Sequence, residues 1–152
     1  MQKTDEFIIN RLTWKAEKFK LPTKSAFYFK DLSSDLQEYL SNQIDKETSG
    51  TPVLFFTKPT KEWTLVCTKQ VVCNDNKKIF KLNYSDIKSF HPTAFEKYHD
   101  NKINLQEAKK KAEWNEVAII DNQNNKHIFH ADKGEELFAL WNILLMAARL
   151  YD

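Results

Sequence analysis

The hydrophobic pattern of this chain changes period at Gly50-Thr51-Pro52, and that switch limits the folds open to it more than any other feature. Before it, apolar residues recur at helical spacing: Ile8 and Leu12 with Phe19, then Leu36, Tyr39, Leu40 and Ile44 behind Ser33-Ser34. After it they come in short runs parted by polar turns, the mark of antiparallel strands. The order predicts an α+β protein with helices first, strands next and a helix last.

Helices are expected over 5–19 and 33–46. Ser34 with Gln37 fits a capping box, while Gly50 permits a left-handed stop and Pro52 cannot continue a helix. Strands are expected at 53–57, 62–68, 71–74, 78–84 and 86–90. Within the second, Trp63, Leu65 and Cys67 share one face and Thr64, Val66 and Thr68 the other. A two-residue turn at Lys69-Gln70 would set Cys67 opposite Val72 and Val66 opposite Cys73, which sends the two thiols to opposite faces. Asn74-Asp75-Asn76 tolerates positive φ and predicts the next turn, after which Phe80, Leu82 and Tyr84 share a face.

A polar insert at 91–115 follows, with a short helix expected over 105–113 from the Asn104/Glu107 capping box and the Glu107/Lys111 pair. Strands at 116–121 and 126–131 flank Asn122-Gln123-Asn124-Asn125. The chain closes with a helix over 133–150, for which Asp132 is the expected N-cap and Glu135, Glu136 and Arg149 match the dipole. Its apolar face, Leu137, Phe138, Leu140, Trp141, Leu144, Leu145 and Ala148, is wide enough to plug an open barrel. Residues 1–50 thus form a helical extension packed on a domain of 51–152.

At 152 residues, 41% of them hydrophobic, the chain can bury a single core without disulfides or metals. Two glycines are too few for any Gly-rich phosphate loop, which excludes P-loop and Rossmann chemistry. The net charge is +2, with the basic excess in 51–91, where seven lysines meet three acids. Arg11 and Arg149 are the only arginines, so specific nucleic-acid binding is not expected. The acidic opening residues predict no secretory leader and a cytoplasmic protein. The longest apolar stretch, Leu137 to Ala148, is broken by Asn142 and falls short of the ~20 residues of a membrane span. Cys67 and Cys73 lack metal or disulfide spacing and are expected as buried free thiols.

The run of strands, the insert, the hairpin and the closing helix resemble the pleckstrin-homology-like (PH-like) superfold, and within it bacterial PH and GRAM-like domains. Trp63-Thr64-Leu65-Val66-Cys67-Thr68-Lys69-Gln70-Val71-Val72 is similar to the family's second and third strands. Phe80-Lys81-Leu82-Asn83-Tyr84-Ser85-Asp86-Ile87-Lys88-Ser89-Phe90 resembles its passage from strand four to strand five. The resemblance covers about 51–150. It implies a strongly bent antiparallel sheet or partly open barrel of about seven strands capped by the C-terminal helix, and a binding role.

Neither the residues nor the resemblance point to an enzyme, a cofactor or a metal. None of His91, His99, His127 and His130 has a nucleophile and an orienting acid at triad spacing, and His127 and His130 fall on opposite faces of one strand. A protein partner is expected first. It would meet Phe27, Tyr28 and Phe29 in the extension and Phe95 and Tyr98 in the insert, unless these simply pack the extension onto the barrel. The resemblance also implies strand edges and a groove beside the C-terminal helix that would accept a peptide by β-augmentation or helix docking. The alternative partner is an anionic membrane, which the resemblance would place at basic loops carrying Lys58, Lys61, Lys77 and Lys78. A third class, an immunity-type protein that neutralises a toxin, agrees with the small single-domain size alone.

Overall fold

The computed structural model describes residues 3–93 and 116–151. Helix α1 (Asp5–Lys18) starts where Thr4 accepts the Phe7 N–H, and it buries Ile8, Leu12 and Ala16. The chain then forms a short strand β1 (Ala26–Tyr28), a 3-10 turn (Phe29–Asp31), α2 (Ser34–Ser41) and α3 (Lys46–Ser49). Strands β2 (Pro52–Thr57), β3 (Trp63–Cys67), β4 (Gln70–Asn74) and β5 (Ile79–Asn83) follow as a meander. A second 3-10 turn (Tyr84–Asp86) leads to β6 (Ile87–Pro92), and β7 (Glu116–Asp121), β8 (Lys126–His130) and α4 (Glu135–Leu150) complete the described chain.

Among the described residues eight strands form two antiparallel sheets, ordered β1-β2-β3-β4-β5 and β6-β7-β8, and these do not close into a barrel. The expected run of five strands from residue 53 is therefore divided. The Tyr84–Asp86 turn carries the chain out of the first sheet, so β6 pairs with β7 rather than β5. The expected helix over 105–113 lies outside the described residues.

Four local expectations need correction. The helix over 33–46 is two helices: α2 ends at Ser41 with Asn42 as its cap, and α3 is nucleated by Asp45, whose carboxylate accepts the Glu47 N–H. Ser33, not Ser34, caps α2, and Gln37 closes no capping box because its amide donates to the carbonyls of Phe29, Lys30 and Leu32. The β3–β4 connection is Thr68-Lys69, one residue early, which sets Thr64 opposite Cys73 and Leu65 opposite Val72. Gly134, at φ 89°, stands at the N-cap of α4, whereas Asp132 accepts the Lys133 N–H just before it.

The early turn has a cause in Gly50. Its φ of +81° suits glycine, and a Cβ there would lie 2.0 Å from Thr68 Oγ1. Without that atom the Thr68 hydroxyl accepts the Thr51 N–H at 2.9 Å, and Lys69 N–H reaches the Ser49 carbonyl.

Two cores result. The first unites Ile8 and Leu12 of α1, Leu54 and Phe56 of β2, Val66 of β3, Ile119 and Phe129 of the second sheet, and Leu140 and Leu144 of α4. The second lies on the other face of the first sheet, where Leu40 of α2 meets Phe55, Trp63, Leu65, Cys67 and Val72, with Phe27, Phe29, Leu36 and Ile44 around them. Both faces of β3 are thereby covered, and all five of its residues are buried. Each large apolar side chain fully buried in this way contributes about 1.5–3 kcal/mol. The extension is thus part of the fold: it adds β1 to the sheet edge and lids the second core. Cys67 of β3 belongs to that second core and Cys73 of β4 to the first, so the thiols face apart as expected from the alternation.

Candidate functional site

Where β3 meets β8, a cluster of charged side chains closes one end of the molecule. Thr64 donates its hydroxyl proton to the His130 carbonyl at 2.6 Å and accepts the His130 N–H at 3.2 Å, tying the two sheets together. His130 is 7% exposed, and Lys58 Nζ donates to its Nδ1 at 3.1 Å. Lys58 also pairs with Glu62 at 3.1 Å, and Glu62 and Glu116 stand 3.8 and 3.9 Å from the imidazole. Burial, then the Lys58 charge, lowers the proton affinity of His130, which favours the neutral ring with Nδ1 accepting from Lys58. Burial works to raise the Glu62 pKa, but hydrogen bonds from Thr60 and Lys58 outweigh it and leave the carboxyl below its usual range. Among the described residues no three His, Cys, Asp or Glu side chains gather to hold a metal ion. The Lys58 ammonium already sits among the acceptors of this cluster.

This arrangement bears on the four lysines of the basic loops. Asn76 donates to the Thr60 carbonyl at 2.7 Å and to Glu62 at 2.8 Å, so the 58–61 and 75–78 loops do lie together at one end. Lys61, Lys77 and Lys78 are exposed, whereas Lys58 is half-buried and paired. Asp75 accepts the backbone N–H groups of both Lys77 and Lys78 at 2.9 Å, which holds its carboxyl charged below the usual range. A small groove beside this loop, about 270 Å³, is lined by Asp75, Lys78, Phe80, Lys126, His127 and Ile128.

The aromatic residues of the extension divide between inside and surface. Phe27 and Phe29 pack around the second core, and Tyr28 packs against the first, its hydroxyl donating to the Leu21 carbonyl at 3.4 Å. Tyr28 and Phe29 also line a groove of about 570 Å³ against Ile9, Asn10 and Thr13 of α1. Phe95 and Tyr98 lie outside the described residues.

The thiols are poor nucleophiles here, because burial pushes both Cys67 and Cys73 up to about 12. His127 pairs with Asp121 at 2.8 Å across the β7–β8 hairpin and stacks on Phe80, while Asp121 also accepts the Gln123 and Asn125 N–H groups. That hydrogen bond from His127 comes first in holding the Asp121 carboxyl low. The pair secures a turn.

A third groove, about 400 Å³, runs between β6 and α4. Ile87, Lys88, Ser89 and Phe90 of the strand form one wall, and Trp141, Leu145, Ala148 and Arg149 of the helix form the other. Among the described residues β6 pairs with β7 alone, and α4 stands beside its other edge. Sequence reasoning named the place, a groove beside the closing helix, but not its residues. The spacing of Trp141, Leu145 and Ala148 along one face was the available signal.

Fold and surfaces define an α+β protein of two antiparallel sheets, with helices at both ends and grooves at a sheet edge and along α1. No helix among the described residues is long and apolar enough to cross a membrane. Comparison of the chain with family models, with curated proteins and with solved structures returns no match.

Proposed function

We propose that the protein is a non-enzymatic PH-like binding module that takes an extended segment of a protein partner against the β6 edge, beside α4. The observation that carries this reading is a groove of about 400 Å³ between β6 and an apolar helix, on the side of β6 where no strand pairs among the described residues. A strand added there satisfies its own backbone through β6, while alternate side chains enter the groove and give selectivity. Phe90, Trp141 and Leu145 supply apolar surface, and Lys88 and Arg149 at the rim favour a segment carrying acidic residues. Support for the PH-like assignment comes from the order of elements: a four-strand meander β2–β5, a second sheet of three, and a terminal helix packed on the core between them. Two buried unpaired thiols agree with a reducing, cytoplasmic setting.

The test is selection from a random-peptide library on the purified protein, followed by binding to a Leu145→Glu variant. Peptides with alternating apolar residues and acidic flanks should be enriched, and the variant should bind them at least tenfold more weakly. A library that yields no enriched peptide, or peptides bound equally by the variant, refutes the assignment.

A further inference from the structure

Helix α1 carries on its outer side a line of residues that the core does not use. Phe7, Arg11, Trp14 and Lys18 follow at i, i+4, i+7 and i+11, which places them in one stripe along the helix. Phe7 and Trp14 are 43% and 42% exposed, and with Tyr39 they are the exposed large hydrophobics among the described residues. The Arg11 guanidinium lies 4.5 Å from the centre of the Trp14 ring, and the ammonium groups of Lys18 and Lys15 lie 5.1 and 5.9 Å from it. Cations held over the indole face keep their charge at the height of the ring rather than away from it.

We infer that this stripe is a contact for an anionic lipid surface. Three observations select that occupant. The cations call for negative charge, and the stacked indole suits the boundary between headgroups and acyl chains, where tryptophan's apolar body and polar N–H are both satisfied. The stripe is also the convex side of a helix whose neighbouring row, Ile8, Leu12 and Ala16, is already buried in the protein. A peptide needs a groove, whereas a membrane accepts a convex face because it has no fixed shape of its own. The acids of α1 leave the stripe clear: Thr51 donates to Asp5, and Glu6 and Glu17 sit about a quarter-turn to one side. Such a contact is separate from the β6 groove and from the lysine loops, and it would bring the module to the membrane while leaving β6 free for its partner.

Flotation with vesicles of phosphatidylcholine alone, and of phosphatidylcholine mixed with phosphatidylglycerol, tests this directly. The wild type should float with the mixed vesicles, not with phosphatidylcholine alone, and should be released by salt. Arg11→Gln and Lys18→Gln should each weaken partition about fivefold. The double substitution Phe7→Ser/Trp14→Ser should abolish it, while Lys61→Ala/Lys77→Ala/Lys78→Ala should leave it unchanged. Thermal melts check that each variant remains folded, and Lys18→Glu, at an exposed position, should give a second loss that does not depend on the aromatic pair. A wild type that fails to float with the mixed vesicles overturns the inference, even if it captures an acidic protein instead. So does flotation that survives Phe7→Ser/Trp14→Ser or is lost with the loop lysines.

Discussion

His130 accepts a hydrogen bond from Lys58 while its own backbone is clamped by Thr64, so its protonation is linked to folding. An unfolded imidazole takes up its proton near pH ~6.5. The folded one, disfavoured by burial and by Lys58, does so only in more acid solution. Between those points the unfolded chain holds the extra proton, so stability is full above about pH 6.5 and falls as pH drops through it. Glu62 and Asp75 act in a lower window, where their depressed carboxyl groups lose their contribution as they protonate. Melting temperatures should therefore decline between about pH 7.5 and about pH 5.5, and His130→Asn should flatten that decline. An unchanged slope in the variant would place the titrating group elsewhere. Gly50 makes a second residue-scale prediction. Ala at that position adds strain at φ +81° and drives a methyl into Thr68 Oγ1, for a loss of about 1–3 kcal/mol from the backbone alone. Urea unfolding of Gly50→Ala measures it, and a midpoint equal to wild type would contradict the account.

At the scale of elements, the second core depends on the extension. Leu40 is fully buried against Trp63, Leu65 and Phe55, and Leu40→Ala should cost about 2–5 kcal/mol in chemical denaturation although α2 is only eight residues long. A cost near zero would mean that α2 does not cover that face. The sequence announced most of these elements, because Gly50-Thr51-Pro52 marks the change of period and Asn76 and Asn124 sit at positive φ in the turns their composition suggested. Strand β1 was not readable: three residues show no alternation, and only their pairing with Leu54, Phe55 and Phe56 makes them a strand. The break of the 33–46 helix was hidden for a related reason. Gln37 turns its amide to the preceding turn, and Asp45 caps a new helix whose end, at Ser49, accepts the Lys69 N–H of the β3–β4 connection.

For the whole molecule, the helix that fills the first core also builds the groove. Leu137, Leu140, Ile143 and Leu144 point into the core, and the same helix presents Trp141, Leu145 and Ala148 to β6. Tyr84 and Tyr151 fix its far end, the first donating to the Cys67 carbonyl at 2.7 Å and the second to the Thr68 carbonyl. Burial raises the Tyr84 pKa well above its ordinary value, so this tie persists across the neutral range. None of this long-range geometry is written in local pattern. The groove joins residues 87–90 to 141–149, and the His130 cluster joins positions 58, 62, 116 and 130 from separate segments. Composition and period specify the two structural classes of segment, while the sites arise from how the sheets and α4 are brought together. The stripe on α1 was nearer the surface of the sequence, since Phe7 and Trp14 stand seven apart and off the Ile8–Leu12 row.

The central claim is that a partner adds a strand at β6. Hydrogen exchange on the protein with and without a library-selected peptide examines it amide by amide. Bound peptide should slow exchange in Ile87–Pro92 and along the face of α4 carrying Trp141 and Leu145, with little change in Ala26–Tyr28. Protection confined to Ala26–Tyr28 and α1, with β6 unaffected, would contradict it and move the binding surface to the groove of the extension.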